Sequence, residues 1–370
     1  MKRYWFATAL LALVLAAPAH AAITVQAWGG VNEKGVDLFT MTNARGMEVK
    51  ISNYGGIITS IRVPDRTGKL DNVTLGFDKL EDYRSPTYSG RYGALIGRYA
   101  NRIKNNMFMI NGVTHRISRD AYVAKTSSNR PYDERVWEAD TKDGAEPQLF
   151  LNLLDRTGTM GFPGTVRVRV IYTLTRDNAL RIEYYATTDR ETVISLTNHA
   201  YFNMAGDLSG SVLDQLLTVN ADTITQGDES NTPTGVMRPV AGTAFDFRKP
   251  AAIGARIQDT DPAIVRARGY DQNYAINGKP GTLRFAARLE DPKSGRVLEE
   301  WTTQPGLQVY TANYPPPPVA LAKGYQSHGS VALEAQGFPN APNIESFPST
   351  RLVPGQEYRH TTEYRFSVAR

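Results

Sequence analysis

The feature that most constrains this chain is a two-residue alternation of apolar and polar positions that recurs along its length, with little helical periodicity to compete with it. Val166, Val168, Val170, Tyr172 and Leu174 alternate with Arg167, Arg169, Ile171, Thr173 and Thr175. After the turn pair Asp177-Asn178 the pattern resumes in Leu180, Ile182, Tyr184 and Ala186. Successive side chains of a strand point to opposite faces, so this pattern predicts a hairpin with one buried face. Similar alternation runs through residues 47–51, 283–289 and 364–368. Turn-forming stretches punctuate it: Asn53-Tyr54-Gly55-Gly56, Pro64-Asp65-Arg66-Thr67-Gly68 and Asp291-Pro292-Lys293-Ser294-Gly295. The best helix candidate is a short piece over 251–257, with Pro250 at its start. With nineteen tyrosines added, the expected fold class is all-β, a large and mostly antiparallel sandwich or barrel.

The first residues stand apart. Lys2 and Arg3 precede an apolar run over 5–17, and Ala19-His20-Ala21 has the small-x-small form that a signal peptidase reads, so residues 1–21 are expected to be a signal peptide. The run is short for a bilayer span, and no second long apolar segment follows. The expectation is an exported, periplasmic protein, with no membrane association once the leader is removed. Residues 22–370 are expected to form a single domain. No repeat of fixed period interrupts them, and the four prolines at 315–318 read as a loop, because the strand-like Gln308-Val309-Tyr310 and Val331-Ala332-Leu333 flank them closely. The chain has no cysteine, which rules out disulfides and thiol chemistry. Two of the formal +5 charges belong to the leader, leaving +3, and the cations are interleaved with acids; that is a solvated surface, not a nucleic-acid footprint.

Several chemistries lack their motifs: there is no GxSxG, no P-loop and no GxGxxG. The five histidines, His20, His115, His199, His328 and His360, form neither HxH nor HExxH, so no metal site is expected. Acid–base work by one histidine and one carboxylate remains. Read as a strand, residues 193–203 put Ile194, Leu196, Ala200 and Phe202 on one face and Ser195, Thr197, His199, Tyr201 and Asn203 on the other, a row suited to a wet, lined cavity. The carboxylate candidate is Glu334. Val331, Leu333 and Ala335 form an apolar row, so Ala332, Glu334 and Gln336 face the other way, and Gly337-Phe338-Pro339 ends the strand.

Seven segments in order resemble the aldose 1-epimerase (galactose mutarotase) family. They are Asn53-Tyr54-Gly55-Gly56, Gly97-Arg98-Tyr99-Ala100-Asn101-Arg102-Ile103, Thr197-Asn198-His199-Ala200-Tyr201-Phe202-Asn203, Phe245-Asp246-Phe247-Arg248, Tyr270-Asp271-Gln272-Asn273-Tyr274, Pro305-Gly306-Leu307-Gln308-Val309-Tyr310-Thr311 and Leu333-Glu334-Ala335-Gln336. Each is weak alone; together they cover nearly the whole chain after the leader. The resemblance implies a large β-supersandwich with a sugar site in a concave groove, and anomer interconversion of a free aldose without cofactor or metal. By the same resemblance His199 matches the general acid for the ring oxygen and Glu334 the general base for the anomeric hydroxyl. Asn101, Arg102, Asp246 and Gln308 match positions that bind sugar hydroxyls, and Tyr201 lines the site. Outside that context Arg102 reads as a surface ion pair and Asp246 as a turn residue. The implied partner is a small hexose such as glucose or galactose, bound by a monomer or dimer.

One departure stands out. Most of the family carry a second histidine in an LHGG stretch before GFD-x-x-x-W, whereas counting back from Trp137 without gaps places Thr126 there, followed by Ser127 and Ser128. The lost donor is worth roughly 1.5–3 kcal/mol, which predicts an altered sugar preference. Two other readings compete: a non-catalytic or weakly catalytic periplasmic carbohydrate-binding protein on the same fold, and a lyase or glycosidase. A glycosidase ranks lower, because it wants two carboxylates where this chain offers Glu and His.

Overall fold

The computed structural model describes residues 21–88, 90–118 and 130–369, so residues 1–20 of the expected leader and Thr126 lie outside the described residues. Three antiparallel sheets dominate. The first is a five-stranded meander running in chain order from Ala22–Val31 to Leu70–Asn72. The second has nine strands, and at its centre lie Arg296–Thr302, Tyr358–Val368, Ala179–Thr188 and Val166–Leu174. The expected hairpin is there, with Val166 opposite Thr188 and Leu174 opposite Leu180. The third sheet has six strands and carries the residues of interest. Its order is Tyr201–Phe202, Val331–Gln336, Gly306–Tyr310, Asp271–Ile276, Ala221–Gly227 and Pro233–Pro239.

One apolar core runs between the sheets. Val168, Val170, Tyr172, Leu180, Ile182 and Tyr184 of the nine-stranded sheet pack in the same cluster as Val331, Leu333, Ala335, Leu307 and Val309 of the six-stranded one, and Met41, Val49 and Ile51 of the meander join them. Because strand side chains alternate, committing Leu333 and Ala335 to the core turns Glu334 to the opposite face. Committing Leu307 and Val309 does the same for Gln308 and Tyr310.

Two local expectations are corrected. Residues 251–257 form no α-helix: Ala251–Ala252 is a two-residue edge strand and Ile253–Ala255 a single 3-10 turn. Its backbone bonds go sideways instead, with the Ile253 amide donating to the Gln215 carbonyl at 3.0 Å. Residues 193–203 are not one strand but three two-residue pieces, Thr192–Val193, Thr197–Asn198 and Tyr201–Phe202, each paired with a different partner. Ser195, Thr197, Asn198 and Asn203 are consequently buried. Asn203, for example, spends its amide on the carbonyls of Gly210 and Gly329.

Candidate active site

His199 sits in the bend between two of these short strands, and its backbone is held on both sides. Its amide donates to the Ala94 carbonyl at 2.9 Å, and its carbonyl accepts from the Gly93 amide at 3.0 Å. Asn198 braces the bend: its side chain donates to the Gly93 carbonyl at 2.7 Å and accepts from the Ala200 amide at 3.0 Å. The imidazole stacks on the Tyr201 ring, with centroids 4.9 Å apart and planes 21° apart. Tyr201 pairs with Ala332, two residues before Glu334 on the same face. The chain thus delivers the imidazole to the carboxyl, with His199 Nε2 lying 3.6 Å from Glu334 Oε2.

A polar row continues from there across the sheet. Glu334 is in register with Gln308, and Gln308 with Asn273. Gln308 Nε2 donates to Asp271 Oδ1 at 2.6 Å, and Asp271 Oδ2 pairs with Arg102 Nη2 at 3.2 Å. Asn101 takes the left-handed conformation, φ 65°, which asparagine tolerates better than most residues. Its Oδ1 accepts from the Arg102 amide at 2.9 Å. Asn101, Arg102, Asp271, Asn273, Gln308 and Pro339 line one narrow cleft. The neighbouring Arg98 has a different job: it is buried against Asp155 and the Pro163 carbonyl and anchors the segment that presents Arg102.

The structure therefore brings together His199, Glu334, Tyr201, Gln308, Arg102 and Asn101, and leaves Asp246 outside the group. The Asp246 carboxylate is forked by Arg248, with Nε–Oδ1 2.9 Å and Nη2–Oδ2 2.8 Å, in a separate open groove with Arg238 and Arg256. The acid beside Gln308 and Arg102 is instead Asp271, in the Tyr270-Asp271-Gln272-Asn273-Tyr274 segment. Its signal was present: Tyr270 and Tyr274 belong to the core, so Asp271 and Asn273 face away from it. Three other histidines have structural roles. His115 stacks on Phe108, His328 Nδ1 lies 3.0 Å from the Thr311 carbonyl, and His360 Nδ1 lies 3.1 Å from Thr303 Oγ1.

Electrostatics separate the two central groups. Burial pushes Glu334 up to about 8; the Asp271 carboxylate adds to the rise and the Arg102 guanidinium opposes it. Burial, aided by the positive charge of Arg91, pushes His199 down to about 3. The two shifts have one main cause: burial favours the uncharged carboxyl of Glu334 and the uncharged imidazole of His199.

A one-proton imidazole–carboxyl pair beside a row of amides and an ion-paired guanidinium is suited to moving protons on a hydroxyl-rich ligand, the class of work done by sugar isomerases. Comparison with known proteins agrees. Residues 37–365 match the aldose 1-epimerase family. Human galactose mutarotase is 38% identical over 327 residues, 87% of this chain and 92% of its own. Aldose 1-epimerase of Escherichia coli is 33% identical, covering 89% of this chain and 94% of its own. Among solved structures, galactose 1-epimerase from Lactobacillus acidophilus superposes with a TM-score of 0.82 at 25% identity, covering 95% of this chain and 100% of that one. An aldose epimerase homologue from C. elegans gives 0.77 at 26%, covering 90% and 99%. The chain belongs to the aldose 1-epimerase family, and it is an isomerase of the mutarotase class.

Proposed function

We propose that the protein interconverts the α and β anomers of a free aldose, with His199 and Glu334 as the acid–base pair. The observation that carries the residue assignment is their 3.6 Å approach at the head of the polar row. Ring opening moves two protons: the anomeric hydroxyl gives one to the Glu334 carboxylate while the imidazolium of His199 gives one to the ring oxygen. The C1–O5 bond breaks, the aldehyde rotates, and closure on the other face returns both protons. A bound sugar favours the charged arrangement, because its anomeric hydroxyl donates to the carboxylate and its ring oxygen accepts from the imidazolium. The proton resting on Glu334 therefore passes to His199 as the sugar binds. Gln308, Asn101 and Arg102, with Asp271, hold the remaining hydroxyls. Each acid–base group is worth about 10²- to 10⁴-fold.

Export to the periplasm belongs to the same proposal and is supported by the leader-like residues 2–21. Polarimetry of freshly dissolved α-D-glucose and α-D-galactose tests the reaction. Accelerated equilibration that is lost in Glu334→Gln and lowered in His199→Asn supports the reading. Sugar binding without acceleration assigns a binding protein instead.

A further inference from the structure

The turn that follows the strand bearing Glu334 ends in a residue that neither the seven family-like segments nor the reaction above employs. Val331–Gln336 runs through Gly337, Phe338 and Pro339 into Asn340, which is 2% exposed and adopts φ 62°. That left-handed conformation suits glycine, asparagine and aspartate, and of the three only asparagine brings a side-chain donor and acceptor together. Asn340 uses both. Its backbone amide donates to the Arg102 carbonyl at 2.7 Å and its Oδ1 accepts from the Lys104 amide at 3.0 Å, so the chain is gripped on both sides of the buried Ile103. Its Nδ2 donates to the Pro233 carbonyl at 2.9 Å. Asn343 Nδ2 donates to the same Oδ1 at 2.9 Å, which fixes the side-chain rotamer.

We propose that Asn340 is a positioning residue for sugar binding: a clasp that fixes the backbone origin of Arg102 relative to the strand carrying Glu334, and with it the reach of the guanidinium toward the sugar. This rests on the hydroxyl-binding role given to Arg102 above. Arg102, Pro233 and Pro339 all line the cleft, so the three segments that meet at Asn340 each supply part of its wall. The Arg102 side chain is 40% exposed and reaches Asp271 Oδ2 at 3.2 Å. A side chain that long and that open places its head group only as well as its backbone is held, and a shift of about 1 Å at such a group weakens binding. A second tie runs in parallel, with Tyr99 Oη donating to the Phe338 carbonyl at 2.8 Å. Cutting the Asn340 side chain therefore loosens Arg102 without detaching the turn.

The test compares wild type, Asn340→Gly, Arg102→Met and the double variant, with polarimetry on α-D-galactose and α-D-glucose for kcat and KM and urea unfolding for stability. Glycine accepts the backbone conformation and keeps the amide bond to Arg102 while deleting the side-chain bonds. The expected result for Asn340→Gly is a rise in KM of about tenfold with kcat within about twofold of wild type. Because the effect passes through Arg102, the double variant should show the KM of Arg102→Met alone. An unchanged KM, or a rise that multiplies with that of Arg102→Met, overturns the proposal. Asn340→Asp keeps the acceptor for the Lys104 amide and should fall between wild type and Asn340→Gly. If neither variant folds, Asn340 serves stability and the role is overturned. A wild type that binds sugar without turning it over sinks the reaction proposed above, and the same comparison made on Kd from NMR titration with D-galactose then decides the clasp by itself. A wild type that does neither ends both.

Discussion

At the scale of single residues, the opposed environments of His199 and Glu334 bear on how stability responds to pH and, under the proposed acid–base assignment, on how activity does. From about 3 to about 8 the pair carries one proton. Imidazole with carboxyl and imidazolium with carboxylate contain the same number of protons, so a pH–rate profile reports the pair and neither member alone. We expect kcat/KM to be level through neutral pH and to fall about tenfold per unit above about 8, where the shared proton leaves. Stability follows by linkage. Glu334 is raised from its ordinary 4.5, so its contribution is full below that value and is lost as pH rises through about 8. His199 is lowered from 6.5, so its contribution is full above that value and is lost as pH falls toward about 3. Glu334→Gln should therefore abolish most activity while gaining stability above pH 8, on the order of a few kcal/mol. Melting curves of both proteins from pH 5 to 9 check it; a difference that does not widen with pH contradicts it. Residue roles were partly legible in the sequence. Glu334 and Gln308 could be oriented because their strands are regular. Asp246 could not be distinguished from Asp271, because its Arg248 clamp is made by the fold of an irregular segment.

At the scale of elements, the site depends on the close lateral packing of three strands, and Gly306 on the middle one leaves no room for a side chain. A Cβ there would stand 2.5 Å from Asn273 Oδ1, 2.9 Å from Phe338 Cδ1 and 3.2 Å from the Gln336 carbonyl. Gly306→Ala should push Asn273 out of the row beside Gln308, raising KM and costing about 1–3 kcal/mol of stability. Paired kinetics and urea unfolding measure both, and an unchanged KM would show that the Asn273 side of the cleft does not contact the sugar. The same scale shows where alternation stops being readable. Val331–Gln336 is a continuous ladder, and its faces follow parity. Residues 192–202 switch partners every few positions, so side-chain direction there is decided by long-range bonds such as Asn198 to Gly93, separated by 105 residues. No window of sequence contains that information.

At the scale of the whole molecule, the interior holds several unpartnered polar side chains, Gln336 and Ser330 among them, and one of these is a carboxyl group. Glu300 is fully buried, and among the described residues neither carboxyl oxygen has a partner of good hydrogen-bond geometry, the Ala335 backbone giving only a weak opposing interaction. Burial raises it well above the carboxylate range, so it folds as the neutral acid. An unpaired polar group in such a place costs roughly 1–3 kcal/mol. Glu300→Leu should raise stability by that order and leave mutarotation within about twofold of wild type. A loss of activity with the fold intact would show that the acid serves the site from behind. The overall class was readable from composition and alternation, because antiparallel sheets with one buried face print that pattern directly. The division into sheets was not, since strands neighbouring in space are as remote in sequence as Ala179–Thr188 and Tyr358–Val368.

The 3.6 Å gap between imidazole and carboxyl also bears on how the catalyst returns to rest. Under the proposed assignment, once a sugar departs the imidazolium can return its proton to the Glu334 carboxylate when the two groups close from 3.6 Å to hydrogen-bond distance. On that proposal whichever anomer arrives next meets the same resting arrangement, and throughput in either sense should not vary with buffer concentration at fixed pH.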